Sequence, residues 1–215
     1  MSKKWSVQKL VLTAMLAAVA GVLMSFEFPL PLMPPFYKVD FSDIPPVVAL
    51  FTMGPASAAG VEVIKILIKL ILKGTSTNFV GELANLVGIV LFIVPIWLLY
   101  VSCGRTRKAA ARSLMISLPV RIVFSCCVNA FITLPLYAAS QGIAMSDVIA
   151  WVSTVNPAIK NLPTFLILAT VPFNFIKLFV NYLAGYILYS RLSNIESLNP
   201  GVKNSQFRDR GSFHA

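Results

Sequence analysis

The run "VGELANLVGIVLFIVPIWLLYVS", Val80–Ser102, carries no acidic or basic side chain after Glu82. A segment of this length and character matches the roughly 20 apolar residues that a helix needs to cross a bilayer. It does not alternate apolar and polar residues, as the roughly ten-residue strands of a membrane barrel do. Working outward, apolar continuity punctuated by Pro and Gly predicts six helices, at 6–27, 43–54, 56–73, 80–102, 111–139 and 162–190. The second is too short to cross squarely. The "MGPA" break, Met53 to Ala56, joins it to the third as a bent or partly re-entrant pair, which is tolerable where it is buried in protein.

Composition agrees. The 215 residues are 57% hydrophobic and 12% charged, against about 25% charged in soluble domains. The expected fold class is therefore an all-α integral membrane protein, a six-transmembrane-helix bundle. Residues 1–190 are expected to form one six-helix membrane domain, and 191–215 a cytoplasmic, largely disordered tail. Between Ala139 and Leu162 a polar connection has room for a short amphipathic surface helix. Leu10 to Phe26 is longer than the apolar core of a signal peptide, about 7–15 residues.

The net charge of +10 does not point to nucleic acid, because the basic residues collect at helix ends instead of forming one patch. One alternating set of ends holds Lys3, Lys4, Lys9, Arg105, Arg107, Lys108, Arg112, Arg191, Lys203, Arg208 and Arg210; the other holds Lys38, Lys73 and Lys160. Cytoplasmic loops carry the excess of Lys and Arg, so both termini are expected to be cytoplasmic. The stretch "FPLPLMPPFYKVDFSDIPP", residues 28–46, is then outside. Its prolines and charges suit a lid and wall over a small-molecule pocket.

Cys103, Cys126 and Cys127 form no C-x-x-C pair, and His214 is the one histidine, so neither a metal site nor a disulfide framework is expected. No G-x-x-x-x-G-K-[ST], H-E-x-x-H or G-x-S-x-G occurs. The chain therefore reads as a binder without an engine of its own, not an enzyme.

An ionisable side chain at mid-bilayer costs at least about 2.5–3.5 kcal/mol and asks for a partner or a ligand. Lys177 is the deepest. Asn174, Lys177 and Asn181 share a helical face, and Pro172 just before them permits a bend. Two amides and an ammonium can donate to the carbonyls of a polar ring, to a carboxylate, or to neighbouring helices in a structural network. Asn129 lies two turns beyond Arg121 on the fifth span; it suits a pocket, whereas Arg121 suits an ion pair with Glu62. Glu62, Lys65 and Lys69 share a face, and internal pairing accounts for them.

In "GTSTNFVGELAN", residues 74–85, Thr75, Thr77, Glu82 and Asn85 can line the outer mouth, although Glu82 in a first helical turn is also favoured by the helix dipole alone. Ala14, Ala17, Ala18 and Gly21 make a smooth stripe on the first helix, suited either to its own bundle or to a partner membrane protein.

"PPFYKVDFSDIPP", "GTSTNFVGELAN" and "PFNFIK", in that order, resemble the riboflavin-specific substrate-binding subunit, or S component, of energy-coupling factor vitamin transporters. The likeness runs from the first span to about Ser190. It implies a six-helix bundle in a prokaryotic plasma membrane that takes riboflavin from outside as transported ligand, with no cofactor. It also implies association with a transmembrane coupling subunit and two cytoplasmic ATPase subunits, docked on Ala14 and Ala18. By the same resemblance Asn129, Asn174 and Lys177 hold the pyrimidine edge of the isoalloxazine. Phe36, Phe41, Leu30, Leu32 or Met33 would cover its rings, since an apolar slot with a few placed donors suits a flat, uncharged tricycle. Asp40 and Asp43 are expected to cap the second helix and position the loop, with Lys38 as local ion partner. Tyr37 and the proline run around Met33 depart from the family's lid. The rivals are an S component for another vitamin such as thiamin, a small membrane flavoprotein oxidoreductase, and an independent channel or facilitator.

Overall fold

In the computed structural model, residues 6–193 are described, apart from Leu32, Pro35, Ser76 and the side chain of Val90. Of the expected tail, 191–215, Arg191 and Leu192 still belong to the last helix, and residues 194–215 lie outside the described residues. Among the described residues seven helices follow one another: α1 Val7–Ser25, α2 Ile44–Met53, α3 Pro55–Lys73, α4 Val80–Ser102, α5 Arg107–Gln141, α6 Met145–Val155 and α7 Leu162–Leu192. Local signals account for most boundaries. Ser6 and Thr106 accept from Lys9 N and Ala109 N at the starts of α1 and α5, as N-cap hydroxyls do. Gly54, at φ 95°, separates α2 from α3.

Among the described residues four helices, α1, α4, α5 and α7, are long and apolar enough to cross a membrane. Of the six spans expected, α2 has 10 residues and α3 carries Glu62, Lys65, Lys69 and Lys73. Their burial explains why the chain tolerates both. α2 is buried from Pro45 to Phe51, at the centre of a core with Ala17, Ala58, Val61, Ile96 and Tyr189. Lipid tails are as apolar as Leu, so helices here associate through close packing. Small residues make that possible. A Cβ on Gly21 of α1 would come within 2.5 Å of Ile68 on α3, and one on Gly185 of α7 within 2.7 Å of Val47 on α2. The opposite face of α1 leaves Leu10, Val11, Met15, Val19 and Val22 exposed, as a lipid-facing surface requires.

The α1–α2 connection is not irregular throughout. Two short strands, β1 Phe28–Pro29 and β2 Lys38–Val39, pair antiparallel, with Phe28 opposite Val39. No alternating pattern in the sequence announced them. The segment has its own apolar anchor: Tyr37 and Val39 pack with Leu134, Ala138, Val148, Val152, Phe165 and Phe173, from α5, α6 and α7. The surface helix expected between 139 and 162 is α6, and its buried Val148 and Val152 form part of the seat.

Two helices change winding where they meet this seat. α5 has a π-helical turn at Asn129–Thr133 and α7 one at Leu166–Thr170. Each is followed within two residues by a proline, Pro135 or Pro172. Proline lacks the N–H for the i−4 carbonyl and its ring crowds that carbonyl, so the preceding turn widens. Such bulges are frequent at functional sites.

Candidate functional site

The lid, α3, α4, α5 and α7 enclose a cavity of about 220 Å³. Its wall includes Asn129, Asn174 and Lys177, together with Phe36, Thr77, Glu82 and Asn85. Residues 48 positions apart in the chain, Asn129 and Lys177, therefore reach one space because α5 and α7 pack side by side at their π turns. Of the other residues singled out in the sequence, Phe41 is partly exposed and pairs with Phe28, ring centroids 6.2 Å apart. Met33 packs in the lid's apolar cluster, Thr75 stands behind Glu82, and Leu32 lies outside the described residues.

The amide groups are held in place. Asn129 Nδ2 donates to Ser125 O at 2.9 Å, and its Oδ1 accepts from Tyr37 Oη at 3.1 Å. Asn174 Nδ2 donates to Thr170 O and its Oδ1 accepts from Ser125 Oγ, both at 2.9 Å. Ser125 thus ties the two amides together, and Tyr37 Oη also meets Thr170 Oγ1 at 2.7 Å. Asn181 is fully buried and outside the cavity wall; its Nδ2 donates to Asp40 O and Lys177 O, each at 2.9 Å. The Thr133 hydroxyl, on the wall, is buried without a hydrogen-bond partner.

Charge on the wall is paired throughout. Lys177 Nζ lies 3.0 Å from Asp40 Oδ2, Lys69 2.5 Å from Glu82, Lys38 2.8 Å from Glu27, and Arg121 3.8 Å from Asp43. Several expectations change here. Asp43 does not cap α2 with its side chain, because its carboxylate is taken by Lys65 at 2.5 Å. Lys38 pairs with Glu27, not with either aspartate. Arg121 reaches Asp43, the Tyr182 hydroxyl and the face of Phe92, not Glu62. Glu62 pairs with Lys65 at 2.7 Å within α3, as the spacing suggested. Glu82 is held by Lys69 and by Thr75 at 3.1 Å, so it does more than complement a helix dipole. Asp40 does position the loop, accepting from Ser42 N at 2.8 Å.

Glu62, Lys69 and Arg121, left out of the candidate site on sequence, line the cavity. So do Tyr37, Ser125, Thr133, Tyr137 and Phe173. The i, i+4 spacing of Ser125 and Asn129 and the prolines after each π turn were the available signals, and Phe173 lies in the "PFNFIK" segment beside Asn174.

These features define a helical membrane protein with a small, charge-paired cavity beneath a proline-rich cover. A family model described as "ECF transporter, substrate-specific component" matches residues 8–189, and the chain belongs to that family. Its members are transporter components, not enzymes. The riboflavin transporter FmnP of Bacillus subtilis is 32% identical over 173 residues, covering 80% of this chain and 84% of its own. The riboflavin transporter RibU of Staphylococcus aureus is 30% identical over 187 residues, 87% and 91%. A solved structure titled "Structure and mechanism of the S component of a bacterial ECF transporter" superposes with a TM-score of 0.67 at 29% identity, covering 87% of this chain and 96% of that one.

Proposed function

We propose that this chain is the riboflavin-binding S component of an ECF-type, ATP-driven vitamin uptake transporter. The convergence of Asn129, Asn174 and Lys177 on one cavity with aromatic walls carries the reading. Riboflavin presents carbonyl acceptors and an imide along one edge of a flat tricycle. The two amides and the ammonium are the donors and acceptors such an edge needs, while Phe36, Tyr137 and Phe173 offer ring surface. Thr77, Glu82 and Asn85 supply polar contacts for a hydroxylated tail, and the free Thr133 hydroxyl offers another.

The cavity's volume of about 220 Å³ is below the roughly 300 Å³ at which ligand pockets usually begin. Loading therefore requires the lid to shift. Tyr37, whose hydroxyl holds Asn129, is the side chain that must give way. α1, α2, α3, α4, α5 and α7 make up the six-helix bundle, with α2 and α3 together occupying a bent path and both chain ends on the cytoplasmic side. The sequence carries no P-loop motif, and release inward is assigned to coupling with partner subunits: a transmembrane coupling protein and two ATPases. Their contact surface is the α1 face with Ala14 and Ala18, both exposed, whereas Ala17 and Gly21 turn into the bundle.

Purification in detergent tests the assignment directly. Riboflavin should copurify or bind on titration, giving a yellow protein with quenched flavin fluorescence. Absence of quenching with riboflavin, together with binding of thiamin, would transfer the protein to another vitamin.

A further inference from the structure

Lys177 is the cation deepest in the chain's last helix, yet it does not stand alone in the cavity. Asp40 Oδ2 sits 3.0 Å from its Nζ. The two are unequally placed: the lysine side chain keeps 17% exposure and the aspartate 5%. Both residues line the cavity, and Asp40 is the more deeply buried of the two. Asp40 is also fixed from other directions. Its Oδ1 accepts from Ser42 N at 2.8 Å, and its carbonyl accepts from Asn181 Nδ2 at 2.9 Å. An ammonium has three donors, so one can stay on Asp40 while others turn to a ligand. The remaining wall cations, Lys38, Lys69 and Arg121, each face a carboxylate as well, and Lys65 behind them is shared by Asp43 and Glu62.

We propose that Asp40 is a positioning and specificity residue: it holds Lys177 as a charge-neutralised donor, so that the cavity selects an uncharged ring edge with carbonyl acceptors over an anionic one. This rests on the riboflavin reading of the cavity. A bare ammonium in a poorly solvated cavity would favour any anion near it, including a flavin that has lost its N3 imide proton. With Asp40 beside it the lysine still donates a hydrogen bond, but the pair offers no net charge. Burial then disfavours the flavin anion.

The test reads the ionisation of bound riboflavin. The N3-deprotonated flavin has its own absorption spectrum, so the pH midpoint for bound and free riboflavin can be compared in detergent. For the wild-type protein the midpoint is expected at or above that of free riboflavin; a lower one overturns the proposal. Asp40→Asn keeps a hydrogen-bonding group of the same size and removes the charge. It should lower the midpoint by about one unit, a roughly tenfold easier ionisation, and Asp40→Glu should restore the wild-type value. An Asp40→Asn midpoint equal to wild type overturns the proposal. If Asp40→Asn does not fold or takes up no flavin, the wild-type midpoint decides. Lys177→Met separates the two readings. Riboflavin binding as tight as wild type overturns the cavity assignment itself; weakened binding with an unshifted Asp40→Asn midpoint overturns only the role of Asp40.

Discussion

The ring of Tyr37 lies flat on that of Phe173, with centroids 4.4 Å apart and planes 9° from parallel. One comes from the lid and the other from α7, just past the π turn. The phenol edge points at Asn129 and Thr170. A flat ring stacked on Phe173 with a polar edge on Asn129 is also the arrangement proposed for the flavin. On that proposal Tyr37 and riboflavin would compete for the same partners.

Tyr37→Phe keeps the stack and removes the hydroxyl. A net hydrogen bond contributes about 0.5–1.5 kcal/mol, so riboflavin should bind roughly two- to tenfold more tightly once Asn129 Oδ1 is released. Fluorescence titration checks this, and weaker binding would mean that the phenol itself contacts the ligand.

Asn129→Ala and Asn174→Ala should each weaken riboflavin binding by about two- to tenfold, and Lys177→Ala by about ten- to a hundredfold, because a charged donor contributes about 1.5–3 kcal/mol. Unchanged dissociation constants in all three variants would remove the site. Asn174→Ala also frees Ser125, so its thermal midpoint should be recorded beside the affinity.

Ala14→Trp or Ala18→Trp adds bulk to a face that the bundle leaves exposed. Riboflavin binding by the purified chain should stay at the wild-type level, while riboflavin uptake by cells carrying the whole transporter is lost. Normal uptake would place the coupling surface elsewhere.

Lys65→Met strands Glu62, which it meets at 2.7 Å, and leaves Asp43, now at 2.5 Å from Lys65, with Arg121 alone at 3.8 Å. Removing one partner of a buried ion cluster costs about 3–5 kcal/mol, so a large fall in thermal midpoint is expected. Combining Lys65→Met with Glu62→Gln, which leaves Asp43 to balance Arg121, should recover much of it. A single variant as stable as wild type would mean that water reaches the cluster.

Helix positions were legible in the chain because they depend on local properties: apolar length, proline, glycine and caps. The span predicted at 80–102 is α4, Val80–Ser102, and the break expected at "MGPA" is the turn at Gly54. The convergence of Asn129, Asn174 and Lys177 was also within reach, because polar residues inside a bilayer must turn to a partner or a ligand. The resemblance of three loop segments added the ligand.

Apart from the Glu62–Lys65 pair within α3, what each charge would meet was not legible. Asp40 and Lys177 stand 137 positions apart, and the sequence alone offered Lys38 to Asp40 and Glu62 to Arg121 with equal chemical sense. The same holds for the alanine stripe on α1, where helical spacing groups Ala14, Ala17, Ala18 and Gly21, but only the approach of α3 turns Ala17 and Gly21 inward and leaves Ala14 and Ala18 out. The sequence by itself determined an apolar helical chain with a few buried polar side chains demanding satisfaction. Tertiary packing alone decided which partners satisfy them, because a salt bridge or a stacked ring depends on distances of a few ångströms between segments that the chain order leaves unconstrained.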